Sequence, residues 1–181
     1  MNSKKILVFS DSHGSVKTLK SVFNWANDHI PPNGTICAAV CCGDGLFDLQ
    51  RASEETGFFS DWKFVRGNND YGIQAPEAAV FEINEHCFFL CHGHRYGIYE
   101  SHHRLLAAAK SNNADAVFFG HTHVPFIKNA DGILLINPGS VGQPRSRIGA
   151  TFAVIECTED KPLKAEFWGI SPQGSINKVK I

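Results

Sequence analysis

Lys5-Ile6-Leu7-Val8-Phe9-Ser10-Asp11-Ser12-His13-Gly14 is an apolar strand pattern that breaks into a polar loop ending in glycine. Val16, Leu19, Val22, Phe23 and Ala26 then recur at helical spacing as far as His29, with Ser15 placed to cap the helix. Pro31, Pro32, Asn33 and Gly34 stop it. The same order follows again. Ile36–Cys42 reads as a buried strand, Gly43-Asp44-Gly45 as a turn, and Leu46–Thr56 as a helix. Trp62–Val65 is a third strand, ending at Arg66-Gly67-Asn68-Asn69-Asp70. Strand, helix, strand, helix, strand, with polar residues closing each strand, predicts an α/β sheet that presents a site beyond its carboxyl ends.

The second half changes rhythm. Ala79–Ile83 and Cys87–Cys91 read as a hairpin around Asn84 and Glu85, and Ser101–Lys110 as a helix. Ala116–Phe119 is a strand running into Gly120-His121-Thr122-His123. Phe126–Lys128 and Ile133–Ile136 form a second hairpin around Asp131 and Gly132, and Thr151–Glu156 and Leu163–Trp168 are late strands. Two sheets packed together with helices outside, in one domain over residues 1–181, account for this order.

The 181 residues suit one domain, and 43% hydrophobic residues are enough for a core. A formal net charge of −1, with no block of like charges, points away from long nucleic acid and from a membrane surface. No apolar run is long enough to span a bilayer. The N-terminus lacks the features of a signal peptide, so a cytoplasmic location is expected. Cys37, Cys41, Cys42, Cys87, Cys91 and Cys157 fall mostly in apolar strands without zinc-knuckle spacing, and read as reduced core thiols. The sequence is compatible with a homodimer.

Five polar clusters each follow an apolar strand: Asp11-Ser12-His13, Gly43-Asp44, Gly67-Asn68-Asn69-Asp70, His92-Gly93-His94 and Gly120-His121-Thr122-His123. Taken singly, each reads as a turn, a cap or a loop histidine. Together they offer carboxylate oxygen, imidazole nitrogen and amide oxygen without thiolate. That mixture suits Mn, Fe, Co, Ni or Zn better than Ca or Mg. One carboxylate shared by two divalent ions would hold them about 3.5–4 Å apart, and a water between them would be a nucleophile at neutral pH. His29, His86, His102 and His103 lie on helices or turns and read as structural.

In this order the motifs resemble those of the calcineurin-like metallophosphoesterases. Asn137-Pro138-Gly139-Ser140 is similar to the small bacterial and archaeal phosphodiesterase branch, to which the retromer scaffold subunit is related. The resemblance runs from Asp11 to about Arg147. It implies a four-layer αββα sandwich, two mixed sheets flanked by helices, with metals at the strand ends. It places Asp11, His13 and His123 on a first metal and Asn68, His92 and His121 on a second, with Asp44 bridging. Two divalent ions are implied, Mn²⁺ by preference, with Ni, Co, Fe or Zn as alternatives.

One position departs from the pattern. Many members carry a histidine after the asparagine that protonates the leaving oxygen, and here that position is Asn69. A general acid typically contributes about 10²–10⁴-fold, and an amide cannot supply it. His94 is the candidate substitute, with contact to the phosphate or to a neighbouring ligand as its alternative role. Asp70 is expected to orient a neighbour rather than to react.

The expected function is hydrolysis of a small phosphodiester by a metal-bridging hydroxide, with Asp44, Asn68 and His94 as the catalytic set. The alternatives are an interaction scaffold with a vestigial metal site, or a phosphomonoesterase. Phe58, Phe59 and Trp62 could form an exposed patch, although packing beside the third strand explains them better.

Overall fold

Alternation along the first strand decides the layering. In β1 (Ser3–Phe9), Ile6 and Val8 point to one face and Leu7 and Phe9 to the other, and all four are buried. A strand apolar on both faces must be covered on both. The structure, a computed structural model, describes residues 3–29, 36–58 and 60–181. The expected helix stop at Pro31–Gly34 and the aromatic Phe59 lie outside the described residues.

α1 (Val16–His29) carries the chain from β1 to the parallel strand β2 (Ile36–Cys41), and α2 (Leu46–Thr56) carries it on to β3 (Trp62–Phe64), parallel to β2. The chain then leaves this sheet. β4 (Ala78–Ile83) and β5 (His86–Cys91) form a hairpin closed by Asn84 and Glu85, both at positive φ. That two-residue turn matches the right-handed twist of the strands. α3 (His103–Ser111) leads to β6 (Ala116–Phe118), parallel to β5. β7 (Pro125–Ala130) and β8 (Ile133–Pro138) form a second hairpin around Asp131 and Gly132. β9 (Ala150–Thr158) returns antiparallel beside β1, followed by β10 (Lys164–Ile170) and β11 (Ile176–Val179). The sheet orders are β11-β10-β9-β1-β2-β3 and β4-β5-β6-β8-β7.

Three buried clusters fill the spaces between layers. Between the sheets, Ile6, Val8, Ala38 and Val40 meet Phe88, Leu90, Phe118 and Ile136. On the outer face of the first sheet, Leu7, Phe9 and Ala39 pack on Leu19, Val22 and Phe23 of α1 and Leu49 and Ala52 of α2. On the outer face of the second, Phe89 and Val117 pack on Leu105 and Ala109 of α3. The result is the expected αββα sandwich. Phe88 stacks on Phe118 and Phe81 at 5.2 and 5.3 Å between ring centroids, so truncating it to alanine would cost about 3–5 kcal/mol.

Most elements fall within two residues of the sequence expectation. β11 was not anticipated, because a four-residue edge strand with two exposed positions has almost no periodicity to read. Phe58 is buried, 4.8 Å from Phe23 in a stacked pair, and half-buried Trp62 packs on both, as the packing explanation required. All six cysteines are free, and burial pushes the Cys157 thiol up to about 11. Among the described residues no helix is long and apolar enough to cross a membrane.

Candidate metal centre

The polar clusters follow the C-terminal ends of the parallel strands: Asp11 and His13 after β1, Asp44 after β2, Asn68 and Asp70 after β3, His92 and His94 after β5, His121 and His123 after β6. Asp11, His13, Asp44, His121 and His123 all have positive φ, between 43° and 68°. A left-handed backbone costs a side-chain-bearing residue about 1–2 kcal/mol, so each must be held there. Hydrogen bonds between the loops hold them. Asp11 N–H donates to Gly43 O at 3.0 Å, His13 N–H to Asp44 O at 3.2 Å, and Ser140 Oγ to Asp11 O at 2.7 Å. Gly67 is required by close approach, since a Cβ there would strike the Asp44 carboxylate.

The side chains converge. Asp11 Oδ1 lies 3.2 Å from His123 Nε2, 3.6 Å from His13 Nε2 and 4.0 Å from His92 Nε2. Asp44 Oδ2 lies 3.3 Å from His92 Nε2 and 3.7 Å from His13 Nε2. Among the described residues, two groups have all their donor atoms within 4.8 Å of one another: Asp11, His13 and His123, and Asp11, Asp44 and His92. The first is the set expected for the first metal. The second contains Asp44 and His92 as expected, with Asp11 joining them.

His121 stands at the edge of this cluster, its ring centroid 5.1 Å from that of His92. His94 completes a triangle, 5.4 Å from His92 and 6.1 Å from His121. Asn68 is exposed and lines a cavity of about 270 Å³ with Arg66, Tyr71, His94 and Arg95. The amide that reaches Asp44 belongs to Asn69, whose Nδ2 donates to Oδ2 at 2.6 Å and whose N–H donates to Oδ1 at 2.7 Å.

Residues behind the cluster aim it. His92 Nδ1 bonds Cys42 O at 2.7 Å and His123 Nδ1 bonds Gln143 O at 2.6 Å, so each presents Nε2 to the carboxylates. Asp70 accepts backbone N–H groups from Asp44, Gly45, Leu46 and Gly67 at 2.7–3.0 Å, which ties the second and third loops together. Asp48 Oδ2 accepts from Ser12 Oγ at 2.5 Å and Gly14 N–H at 2.7 Å, on either side of His13. The sequence reading missed Asp48; an acidic residue in the first turn of α2 was the only signal.

The electrostatics fit a cation site. Burial pushes the Asp11 carboxyl up, but the neighbouring His123 and His13 imidazoles and the charge of His92 outweigh it and hold it well below the carboxylate range. Asp44 is lowered in the same way by His92 and Asn69 against its burial. Asp11 raises His13, and Asp44 raises His92 against the effect of burial. Burial and the charge of His92 lower His94 and His121. Asp11 Oδ1 and His92 Nε2 are buried without a hydrogen-bond partner. Buried polar atoms are rarely left so, and an acceptor oxygen beside an acceptor-capable nitrogen is what a divalent cation satisfies. The residues therefore fit metal ions.

Comparison with known proteins agrees with this geometry. Residues 5–160 match the model of the calcineurin-like phosphoesterase superfamily domain. A "probable metallophosphoesterase" of Bacillus subtilis is 26% identical over 155 residues, covering 86% of this chain and 85% of that one. A phosphodiesterase of Methanocaldococcus jannaschii is 27% identical over 149 residues, covering 75% and 82%. Among solved structures, a predicted phosphoesterase of Streptococcus pneumoniae superposes with a TM-score of 0.77 at 28% identity, over 99% of this chain and 98% of that one. Vacuolar protein sorting 29 of Cryptosporidium parvum shares the fold, with a TM-score of 0.77 at 18% identity over 99% and 97%. With that match over most of its length, and a cluster of aspartates and histidines able to bind divalent metal at the strand ends, the chain belongs to the calcineurin-like phosphoesterase superfamily.

Proposed function

We propose that the protein is a phosphodiesterase that works with two divalent metal ions, Mn²⁺ by preference, on a small phosphodiester. The observation that carries this reading is the pair of unpartnered buried atoms, Asp11 Oδ1 and His92 Nε2, inside a ring of further ligand atoms. Asp11, His13 and His123 would hold one ion and His92, His121 and Asn68 the other, with Asp44 shared. Such ions supply Lewis acidity toward phosphate oxygens and a water with a pKa near about 7.

The chain's own residues do the rest. Asn69 holds both oxygens of Asp44, and Asp70 fixes the backbone that carries them. His94 faces the cleft beside His92, and its Nδ1 is buried without a partner. Burial lowers its pKa and so disfavours the imidazolium form, and its role here is to offer the leaving oxygen a hydrogen bond. A site with a weak proton donor favours good leaving groups and a singly charged diester over a monoester.

Hydrolysis of bis(p-nitrophenyl) phosphate and p-nitrophenyl phosphate by the Mn²⁺-loaded protein tests this. The diester is expected to be the better substrate, and an equal or faster monoester rate rejects the preference. Asp44→Asn is expected to abolish turnover and lower metal content; an active, fully metallated variant would overturn the bridging role.

One observation favours a second reading, an interaction scaffold. An apolar groove of about 460 Å³ lies along edge strand β3, lined by Trp62, Phe64, Ile73 and Phe47, the last 69% exposed. If the protein binds no divalent ion and hydrolyses neither substrate, this reading replaces the first.

A further inference from the structure

The loop after β8 is fastened to the metal centre along its length. Val141 N–H donates to Ser10 O at 3.1 Å, Gly142 N–H to Asp11 O at 3.2 Å, and Arg145 N–H to His123 O at 3.1 Å. Gln143 O accepts from His123 Nδ1 at 2.6 Å. The backbone of Arg145 is therefore held against one of the proposed ligands. Its side chain reaches another only through Tyr99. Arg145 Nη1 donates to Tyr99 Oη at 3.0 Å, and Tyr99 Oη donates to His121 O at 3.0 Å. The Tyr99 ring meets the His121 imidazole edge-on, 5.3 Å between centroids. Two loops distant in sequence thus meet at Tyr99 and Arg145, beside His121.

The charge of this arginine sets it apart from two others at the cleft. Arg66 and Arg95 share the carboxylate of Glu77, Arg95 at 2.8 Å. Arg145 bonds a neutral phenol, which orients a cation without cancelling its charge. Only one N–H of its fork goes to Tyr99. An exposed arginine left free would lose much of its side-chain entropy on binding. One already oriented loses less, and its planar fork matches two oxygens of a phosphate.

We infer that Arg145, held by Tyr99, is the residue that takes an anionic oxygen of the substrate phosphate at the rim of the metal cleft. This rests on the phosphodiesterase reading for the identity of the substrate, but not for the binding of phosphate itself. Arg145 binds the anion and Tyr99 is a positioning residue.

Inorganic phosphate binding to the Mn²⁺-loaded protein, measured by calorimetry, is the primary test, with KM and kcat for bis(p-nitrophenyl) phosphate beside it. Arg145→Gln is expected to raise the phosphate Kd and the KM about tenfold or more, with kcat changed less and metal content unchanged. Arg145→Lys should recover part of the loss. Tyr99→Phe, which keeps the ring and loses the hydroxyl, should give a smaller shift in the same direction. The inference is overturned if Arg145→Gln binds phosphate as the wild type does, if it loses metal in parallel, or if the wild type binds no phosphate. A wild type that hydrolyses neither ester yet binds phosphate through Arg145 would sink the hydrolase reading and leave this one standing.

Discussion

Asn69 grips both oxygens of Asp44, one with its side-chain amide at 2.6 Å and the other with its backbone N–H at 2.7 Å. At the position where the family resemblance leads one to expect a proton-donating histidine, this chain has an amide that holds Asp44, the carboxylate proposed to be shared by the two ions. The exchange trades acid catalysis for rigidity, because an amide donates a hydrogen bond at any pH but gives up no proton.

Asn69→His should therefore restore an acid. Hydrolysis of diesters with alkyl leaving groups is expected to rise relative to nitrophenyl diesters by about 10²-fold or more, within the usual range of such groups. The ratio of the two rates, compared with wild type, is the measurement. An unchanged ratio would show that a proton at this position is not limiting.

Asp70 should be a stability residue. Its two oxygens accept four backbone N–H groups, three of them at the start of α2. Asp70→Ala leaves buried donors unpaired and is expected to cost about 3 kcal/mol, or a fall in Tm of about 6–12 °C. Asp70→Asn should be nearly as damaging, since one acceptor becomes a donor facing two N–H groups. A melt within about 2 °C of wild type would contradict this.

Asp48→Ala should act on metal affinity. Its carboxylate holds the residues on both sides of His13 and is not among the groups that would hold the ion. Binding at the site of Asp11, His13 and His123 is expected to weaken about 10–100-fold with the fold retained, as for other residues that support a ligand. Calorimetric titration with Mn²⁺ should show one of two sites weakened. Equal affinity at both would remove Asp48 from the site.

Removing metal should reverse the pH dependence of stability. In chelator-treated protein, His13 and His92 have pKa values raised above 6.5 by their carboxylate neighbours. They hold protons that the unfolded chain has already released, so stability falls as pH rises from about 6.5 through their folded values. His94 and His121 are lowered, so their effect lies below 6.5, where stability falls as pH falls. The chelated protein should thus melt highest near pH 6.5 and lower at pH 8. With Mn²⁺ the protons on His13 and His92 must leave, so binding tightens and Tm rises over the same interval. Parallel melts at pH 6.5, 7.2 and 8 decide it; a chelated protein that gains stability up to pH 8 would contradict the ion pairs.

Much of this was legible in the chain because it is local. Two-faced apolar strands such as Ile6–Phe9 and Phe88–Cys91 announce buried sheets, and Asn84-Glu85 and Asp131-Gly132 announce tight hairpins. Glycine-flanked Asp, Asn and His at successive strand ends mark the region where ligands gather. Neighbours along the chain and the periods of strand and helix are enough to read these.

What the tertiary structure alone decided is which of those groups touch. Asn69 rather than Asn68 bonds Asp44 across a separation of 25 residues, and Asp48 braces the loop around His13 from 34 residues away at Gly14. Tyr99 and Arg145, 46 residues apart, meet over His121. Such contacts depend on how two twisted sheets stack and where their loops are pinned, to within an ångström. Sequence spacing carries no such information once the chain has left one strand for another, because a hydrogen bond is made or lost over a distance far smaller than the uncertainty in where a loop ends.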